Sequence, residues 1–281
     1  MITSSSSSNL ILMNFIIFNG RQVSVQEPVL HASNRAFRYG DGLFETIRVA
    51  NGKIPLGDLH FKRLFKGMNQ LKISIGDLTQ ESLTQQILQL CRKNDCLLKA
   101  RVRMQVFRSG EEQPGFIIEA TELPAKSIDW DDKGFIVDVF QGAAKSTDAL
   151  SNLKSSNFLP YVMADIFAKE NGLEDAIVLN VNGRIADTTR ANIFLLKNNQ
   201  LYTPPLSEGC VEGVMRSWML ENLTREVIQA PLSLNDMSES SEVFLTNAVF
   251  GIRWVRSFRN KTYISTYSKK VYSELISTIF H

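Results

Sequence analysis

Three Asn-Gly pairs between short apolar runs constrain the fold of this chain more than any other feature. They are Asn19-Gly20, Asn51-Gly52 and Asn182-Gly183. Asn-Gly tolerates the positive φ angles of a type I′ turn, whose twist matches that of paired antiparallel strands. The pairs predict hairpins that join Phe15–Phe18 to Gln22–Val25, Phe44–Val49 to the segment after Gly52, and Ala176–Val181 to Arg184–Thr188. Asn198-Asn199 predicts a fourth hairpin, between Ile193–Leu196 and Gln200–Tyr202. This pattern indicates an antiparallel-rich protein and excludes a doubly wound parallel sheet.

Helical periodicity is found between the hairpins. The segments with this pattern are Thr79–Asn94, Phe158–Asn171, Gly213–Glu226 and Tyr267–Phe280. Thr79 is a suitable N-cap residue, and Gly172 is a suitable stop for the second helix. That helix has an apolar stripe at helical period, made of Leu159, Val162, Met163, Ile166 and Phe167. Strands and helices together predict an α+β fold.

A chain of 281 residues suits one large domain or two domains of about 100–150 residues each. The segment TELPAK, at positions 121–126, lies between a strand that ends near Ile118 and a new strand at Gly134–Phe140. We place a domain boundary there, with a small N-terminal α+β domain over 13–122 and a second domain over 123–281. The chain begins MITSSSSSN, which is polar and low in complexity, and it lacks the basic start and long apolar run of a secretory signal. Residues 1–12 are therefore expected to be a disordered tail.

Composition excludes several classes of protein. Lys and Arg number 31 against 29 Asp and Glu, and this near-neutral balance argues against a nucleic-acid-binding protein. No stretch approaches the roughly 18–20 apolar residues of a membrane span. Three cysteines are an odd number that suits a reducing compartment, so we expect a cytoplasmic protein. His31 and His60 lack metal-ligand spacing, and no metal site is expected.

Seven short blocks in order along the chain point to a family. They are Tyr39-Gly40-Asp41-Gly42-Leu43-Phe44-Glu45-Thr46, His60-x-x-Arg63-Leu64, Lys154-x-x-Asn157, Ala191-Asn192-Ile193-Phe194, Tyr202-Thr203-Pro204, Gly213-Val214-Met215-Arg216 and Glu242-Val243-Phe244-Leu245-Thr246-Asn247-Ala248. Together they resemble the class IV aminotransferases, the fold-type IV enzymes that depend on pyridoxal 5′-phosphate (PLP). The resemblance runs from about Phe15 to Val255. It implies the two-domain, antiparallel-rich fold of the D-amino acid aminotransferases.

The resemblance also implies a role for particular residues toward PLP. Lys154 would form the covalent link to the cofactor and then move protons at the substrate Cα, which requires a neutral amine. Asp187 stands where the family usually has Glu and would hold the proton on the pyridine nitrogen. The phosphate would be bound by Arg63, by the backbone N–H groups of Val214 and Met215, and by Thr246 and Asn247.

Substrate contacts are expected from Phe44 and Arg108, since Arg108 stands about where the D-amino acid enzymes place a carboxylate-binding Arg. Arg101 and Arg103 alternate with apolar residues, so they should point the same way from one strand, as carboxylate ligands or as a solvated face. Relatives are usually homodimers that share loops, and Ser33–Tyr39 is a candidate for such a loop.

The resemblance leaves the exact reaction open. Met215 and the Thr246-Asn247-Ala248 run favour 4-amino-4-deoxychorismate lyase, which releases pyruvate and 4-aminobenzoate. A D-amino acid or branched-chain aminotransferase is the alternative. A catalytically inactive binding protein is a second alternative, which the departures at Asp187 and Met215 would favour.

Overall fold

The computed structural model describes residues 14–109, 113–125, 127 and 129–280. The tail predicted for residues 1–12 lies outside them. In this part of the chain five strands form a first sheet in the order β2-β1-β5-β4-β3, and each pair of neighbours is antiparallel. Its strands are β1 (Phe15–Phe18), β2 (Arg21–Ser24), β3 (Gly42–Ala50), β4 (Lys99–Phe107) and β5 (Gly115–Glu122).

A second, larger sheet follows along the chain. Its order in the described residues is β11-β10-β9-β12-β13-β6-β7-β8, with β14 paired to β13. Most neighbours are antiparallel, but β6 runs parallel to β7 and β13, and β10 runs parallel to β11. The strands are β6 (Phe135–Lys145), β7 (Asp175–Asn180), β8 (Ile185–Thr188), β9 (Asn192–Lys197), β10 (Gln200–Thr203), β11 (Val227–Gln229), β12 (Glu242–Asn247), β13 (Gly251–Phe258) and β14 (Lys261–Thr262).

Helices connect the strands, and most of them pack against one of the two sheets. They are α1 (Arg35–Tyr39), α2 (Gly57–Gln70), α3 (Gln80–Lys93), α4 (Leu159–Glu170), α5 (Val214–Asn222), α6 (Leu234–Glu239), α7 (Thr266–Val271) and α8 (Ser277–Phe280), with a 3-10 turn at Leu206–Glu208 and a π-helical turn at Tyr272–Ile276. No helix of the described residues is long and apolar enough to cross a membrane. The predicted α+β, antiparallel-rich fold is confirmed, whereas the boundary at 122/123 stays a prediction.

Three of the four predicted hairpins are present. β1 pairs with β2, β7 with β8, and β9 with β10. The prediction of a hairpin at Asn51-Gly52 is wrong. Both residues have the positive φ angles of the expected turn, but only an isolated bridge between Ala50 and Lys53 follows. Pro55 lacks a backbone N–H and cannot extend a ladder, so the chain enters α2 and β3 pairs instead with β4.

The predicted helices are present with changed details. Thr79 caps α3 as expected, and the third helix ends at Asn222 because the chain turns to place β11 beside β10. In α4 four members of the apolar stripe face outward, with Leu159 68% and Val162 45% exposed, whereas Phe167 packs against Phe140. The buried face is formed by Tyr161, Ala164 and Ala168. Ala164 and Ala168 let the helix lie close to β6 and β7, and the four outward apolar side chains remain exposed.

The first sheet presents different side chains on its two faces. Leu43, Ile47 and Val49 of β3 pack into the core beneath α2 and α3. Phe44 and Thr46, which alternate with them, point to the opposite face and line a cavity. The period-two geometry of a strand therefore directs this face of the small sheet at the larger sheet, where the candidate site lies.

Candidate active site

The cavity between the two sheets has a volume of about 480 Å³, within the range of roughly 300–1,000 Å³ that small-molecule sites occupy. The first sheet contributes Phe44, Thr46, Arg101 and Arg103, and α2 contributes Arg63. The remaining lining residues come from the second half of the chain, and those considered below are Lys154, Phe158, Tyr161, Asp187, Asn192, Val211, Gly213, Val214, Thr246 and Asn247. Most of the residues singled out in the sequence thus lie around one space.

Lys154 is held in this cavity by its backbone. Its carbonyl accepts a hydrogen bond from the Phe44 N–H at 2.9 Å, and the Ser156 N–H donates to the Gly42 carbonyl at 2.9 Å. The Nζ atom lies 4.3 Å from the Phe44 ring centroid and 5.6 Å from that of Phe158. Burial, with the nearby Arg63 guanidinium, lowers the pKa of Lys154 to about 7. A large share of the amine is therefore neutral at physiological pH, as a nucleophile or base requires.

Asp187 lies at one end of the cavity, fully enclosed. Its carboxylate accepts hydrogen bonds from the Tyr161 hydroxyl at 2.9 Å, the Asn192 Nδ2 at 2.8 Å and the Val211 N–H at 2.8 Å. Burial raises the pKa of Asp187 to about 6 although these donors and Lys145 oppose the rise. An enclosed carboxyl with a raised pKa is suited to a cationic partner, and a protonated ring nitrogen would be one.

Anion-binding groups are gathered elsewhere on the cavity wall. Helix α5 begins there with Gly213 at its N-cap, and no side chain in the described chain caps it, so its first N–H groups are available for a phosphate. Thr246 is buried, and its Oγ1 has no hydrogen-bond partner among the described residues. Arg63 lines the same cavity. An orphaned hydroxyl, an uncapped helix and a guanidinium fit a phosphate group.

Two residues predicted for the phosphate site have side chains that are engaged elsewhere. The Met215 side chain is fully buried in the core, so this residue can offer only its backbone N–H, at the start of α5, to a phosphate. Asn247 accepts from the N–H groups of Val249 and Phe250, and its Nδ2 donates to the Arg190 carbonyl. Asn247 therefore shapes the turn after β12 with its side chain.

The cations that face the cavity from the first sheet are Arg101 and Arg103, which point the same way as predicted. The Arg103 guanidinium lies 4.0 Å from the Phe44 ring centroid, and burial lowers the pKa of Arg103. Arg108 does not line the cavity. It pairs with Asp41 at 3.0 Å and donates to the carbonyls of Leu71 and Lys72. Its substrate role stays a prediction.

Sequence reasoning missed two contributors to this geometry. Tyr161 belongs to no motif of the sequence, yet its hydroxyl donates to Asp187. Glu45 lies between the core residues Leu43 and Ile47 on β3 and is 1% exposed. A lone carboxylate on an apolar strand face indicates a buried cationic partner, and that signal was present in the sequence. No cluster of His, Cys, Asp and Glu in the described residues could hold a metal ion.

The family model for class IV aminotransferases matches residues 42–258. This span includes every residue of the cavity named above. The chain belongs to the class IV aminotransferase family. That family consists of PLP-dependent enzymes. PLP chemistry requires a lysine, a carboxylate and anion-binding groups, and the cavity contains all three.

Individual relatives carry different activities. The chain is 28% identical over 231 residues to the aminodeoxychorismate lyase of Vibrio harveyi, covering 78% of this chain and 83% of that protein. It is also 28% identical over 250 residues to a putative branched-chain-amino-acid aminotransferase of Methanocaldococcus jannaschii, covering 82% and 83%. The solved structure of the Escherichia coli branched-chain amino acid aminotransferase superposes with a TM-score of 0.84 at 22% identity, covering 96% of this chain and 95% of that chain. The last comparison shows the fold alone.

Proposed function

We propose that this protein is a 4-amino-4-deoxychorismate lyase that binds PLP and releases pyruvate and 4-aminobenzoate. The observation that carries the proposal is that Lys154, Asp187, Arg63 and the start of α5 all line one cavity. The similarity to the Vibrio harveyi lyase supports the choice of reaction. Met215 and the Thr246-Asn247-Ala248 run support it as well.

The donors present fit the cofactor. Lys154 would hold it covalently, Asp187 would pair with the ring nitrogen, and the phosphate would lie against Arg63, the Val214 and Met215 N–H groups and the Thr246 hydroxyl. When bound, PLP supplies an electron sink for the bond cleaved at the substrate Cα.

The residues of the chain have separate tasks in this scheme. Once the substrate amine has displaced it from the cofactor, the Lys154 amine, with its pKa lowered to about 7, would take the proton from the substrate Cα. The C–O bond to the enolpyruvyl group would then break, and the proton would pass from Lys154 to the departing enol of pyruvate. Asp187, ionised, would keep the ring nitrogen protonated. Phe44 and Phe158, whose ring centroids are 5.2 Å apart in an edge-to-face contact, shield the amine from water. Arg101 and Arg103 provide positive charge for the substrate carboxylates.

Product analysis tests the reaction. Purified protein loaded with PLP and given 4-amino-4-deoxychorismate should form pyruvate and 4-aminobenzoate in equal amounts. The Lys154→Ala variant should form neither and should lack the visible absorbance of the loaded protein. Transfer of amino groups from D-alanine or leucine to 2-oxoglutarate, without 4-aminobenzoate, would instead establish the aminotransferase alternative, which the Methanocaldococcus relative favours.

A second copy of this chain is the proposed macromolecular partner. The outward apolar stripe of α4 includes Met163, 43% exposed, and Ile166, 41% exposed. Asn157, just before α4, donates to the Gly40 carbonyl at 3.4 Å, so the end of α1 lies near the start of α4, and Phe37 of α1 is also exposed. A helix face with several exposed apolar side chains is typical of a protein interface. The Ser33–Tyr39 segment would then approach the partner.

A cytoplasmic location completes the proposal. All three cysteines, Cys91, Cys96 and Cys210, have free thiols and are buried. A reducing compartment preserves thiols in this state.

A further inference from the structure

The Arg63 guanidinium is paired with the carboxylate of Glu45, which has no role in the proposed reaction. Arg63 Nε donates to Glu45 Oε1 at 2.8 Å, and Nη2 donates to Oε2 at 2.5 Å. Glu45 is 1% exposed. Burial by itself would raise its pKa, but the Arg63 guanidinium and the His60 hydrogen bond lower the pKa of Glu45 to about 2. Glu45 is therefore ionised at every physiological pH.

His60 holds this carboxylate from the other side. It is fully buried, and its Nδ1 lies 2.7 Å from Glu45 Oε2. Its Nε2 has no hydrogen-bond partner in the described residues, and burial lowers the pKa of His60. A neutral imidazole that donates through Nδ1 fits this arrangement. Glu45 is thus fixed on β3 by its backbone and by a donor from α2.

The Arg63 side chain consequently has one orientation. Its Nη1 donates to the Glu212 carbonyl at 2.9 Å, so each of its three nitrogens is engaged. A guanidinium has five N–H donors in a planar fork. Three are used by these contacts within the described chain, which leaves one on Nη1 and one on Nη2 for a ligand in the cavity. An unpaired arginine would lose rotamer freedom on binding a phosphate, and this one has already lost it.

We propose that Glu45 is the positioning residue that orients Arg63 toward the phosphate of the cofactor, with His60 holding Glu45 in turn. This inference rests on the proposed function, since it takes PLP as the ligand. It gives the buried Glu45 carboxylate a role in phosphate recognition. The alternative is that Glu45 contributes only to folding.

The comparison of PLP with pyridoxal separates these roles. Pyridoxal has the same ring and aldehyde but no phosphate, so it tests Lys154 and Asp187 without Arg63. In equilibrium titrations of the apo-protein, the wild type should prefer PLP. Glu45→Gln keeps the side-chain size and removes the charge, and it should lower the PLP-to-pyridoxal affinity ratio about tenfold, as expected when a charge-assisted hydrogen bond is lost. Pyridoxal affinity should change by less than about threefold.

Two further variants complete the experiment. Glu45→Asp keeps the charge and should recover part of the ratio. Glu208→Gln is the matched control, because Glu208 forms an equivalent two-point pair with Arg184, at 2.6 and 2.9 Å, away from the cavity. It should leave the ratio unchanged. Any effect of Glu45 on the Lys154 amine applies to both ligands and cancels in the ratio.

The outcomes distinguish the two claims. A wild type that binds neither ligand contradicts the proposed function and this inference together. A wild type with a clear phosphate preference that Glu45→Gln retains contradicts only the role of Glu45. Equal losses of PLP and pyridoxal affinity in Glu45→Gln, with a lowered melting temperature, would show a purely structural role and also overturn the inference.

Discussion

The environment of Lys154 sets its chemistry. An ordinary lysine has a pKa near 10.4, and here burial and the Arg63 guanidinium lower it to about 7. We expect the apo-protein to contain, besides the α-amino group, one fast-reacting lysine whose modification by trinitrobenzenesulfonate is half-maximal near pH 7. The Lys154→Arg variant should lack this fast phase. A midpoint above about pH 9 in the wild type would contradict the enclosed environment described for the amine.

Asp187 makes the stability of the apo-protein depend on pH. Burial raises the pKa of Asp187 to about 6, from the 3.8 of an ordinary aspartate. The folded state therefore binds this proton more tightly than the unfolded state, and stability falls as pH rises from about 4 to about 6. The loss is on the order of 2 to 3 kcal/mol once the carboxyl is ionised.

Chemical denaturation at pH 4.5 and pH 7 checks this effect. In Asp187→Asn the contribution of this carboxyl to the pH dependence should be absent, so the difference in free energy of unfolding between the two pH values should be shifted by about that amount. An identical pH dependence in the wild type and the variant would contradict the raised pKa. PLP binding should weaken in the same variant, because the partner of the ring nitrogen is lost.

At the scale of elements, the start of α5 depends on a glycine. A Cβ at Gly213 would lie 1.8 Å from the Asn192 Oδ1, and Asn192 holds Asp187. Gly213→Ala should therefore displace Asn192 and the first N–H groups of the helix, and weaken PLP binding by about tenfold or more. Gly57→Ala, at the start of α2, is the control, because the nearest atom to its Cβ is 3.5 Å away. Equal affinities in the two variants, measured by titration, would contradict this account.

The elements could be predicted where local chemistry decides them. The turns at Asn19-Gly20 and Asn198-Asn199 have the positive φ angles that Asn and Gly tolerate, and Thr79 caps α3. Prediction failed after Asn51-Gly52 because the partner of β3 is β4, about fifty residues further along the chain. A turn motif specifies a local reversal, but the choice between a local and a distant partner depends on tertiary packing.

The candidate site shows the same division. The motifs identify many of the residues that line the cavity, among them Lys154 and Asp187, but not the contacts that orient them. The pairing of Glu45 with Arg63 and of Tyr161 with Asp187 joins residues 18 and 26 positions apart. Such contacts follow from the packing of a helix against a strand, which spacing along the chain does not reveal.

For the whole molecule, the outward stripe of α4 predicts self-association. We expect the wild type to sediment as a dimer and Val162→Arg to shift it toward a monomer, because a charge would be buried in an apolar interface. Val181→Arg is the matched control, since Val181 is apolar and 62% exposed in the turn after β7. A monomeric wild type, or a Val162→Arg protein that stays dimeric, would contradict the proposed interface.

The backbone of Lys154 is bound to the start of β3, and this affects how the two sheets are held together. The lysine is anchored by backbone hydrogen bonds to Gly42 and Phe44 of the small sheet, whereas Asp187 belongs to the large one. A coenzyme joined to both residues would cross-link the two sheets through its ring. Loss of the coenzyme would remove this link, while each sheet would keep the hydrogen bonds between its own strands. The two sheets would therefore lose their alignment relative to each other before either sheet unfolded.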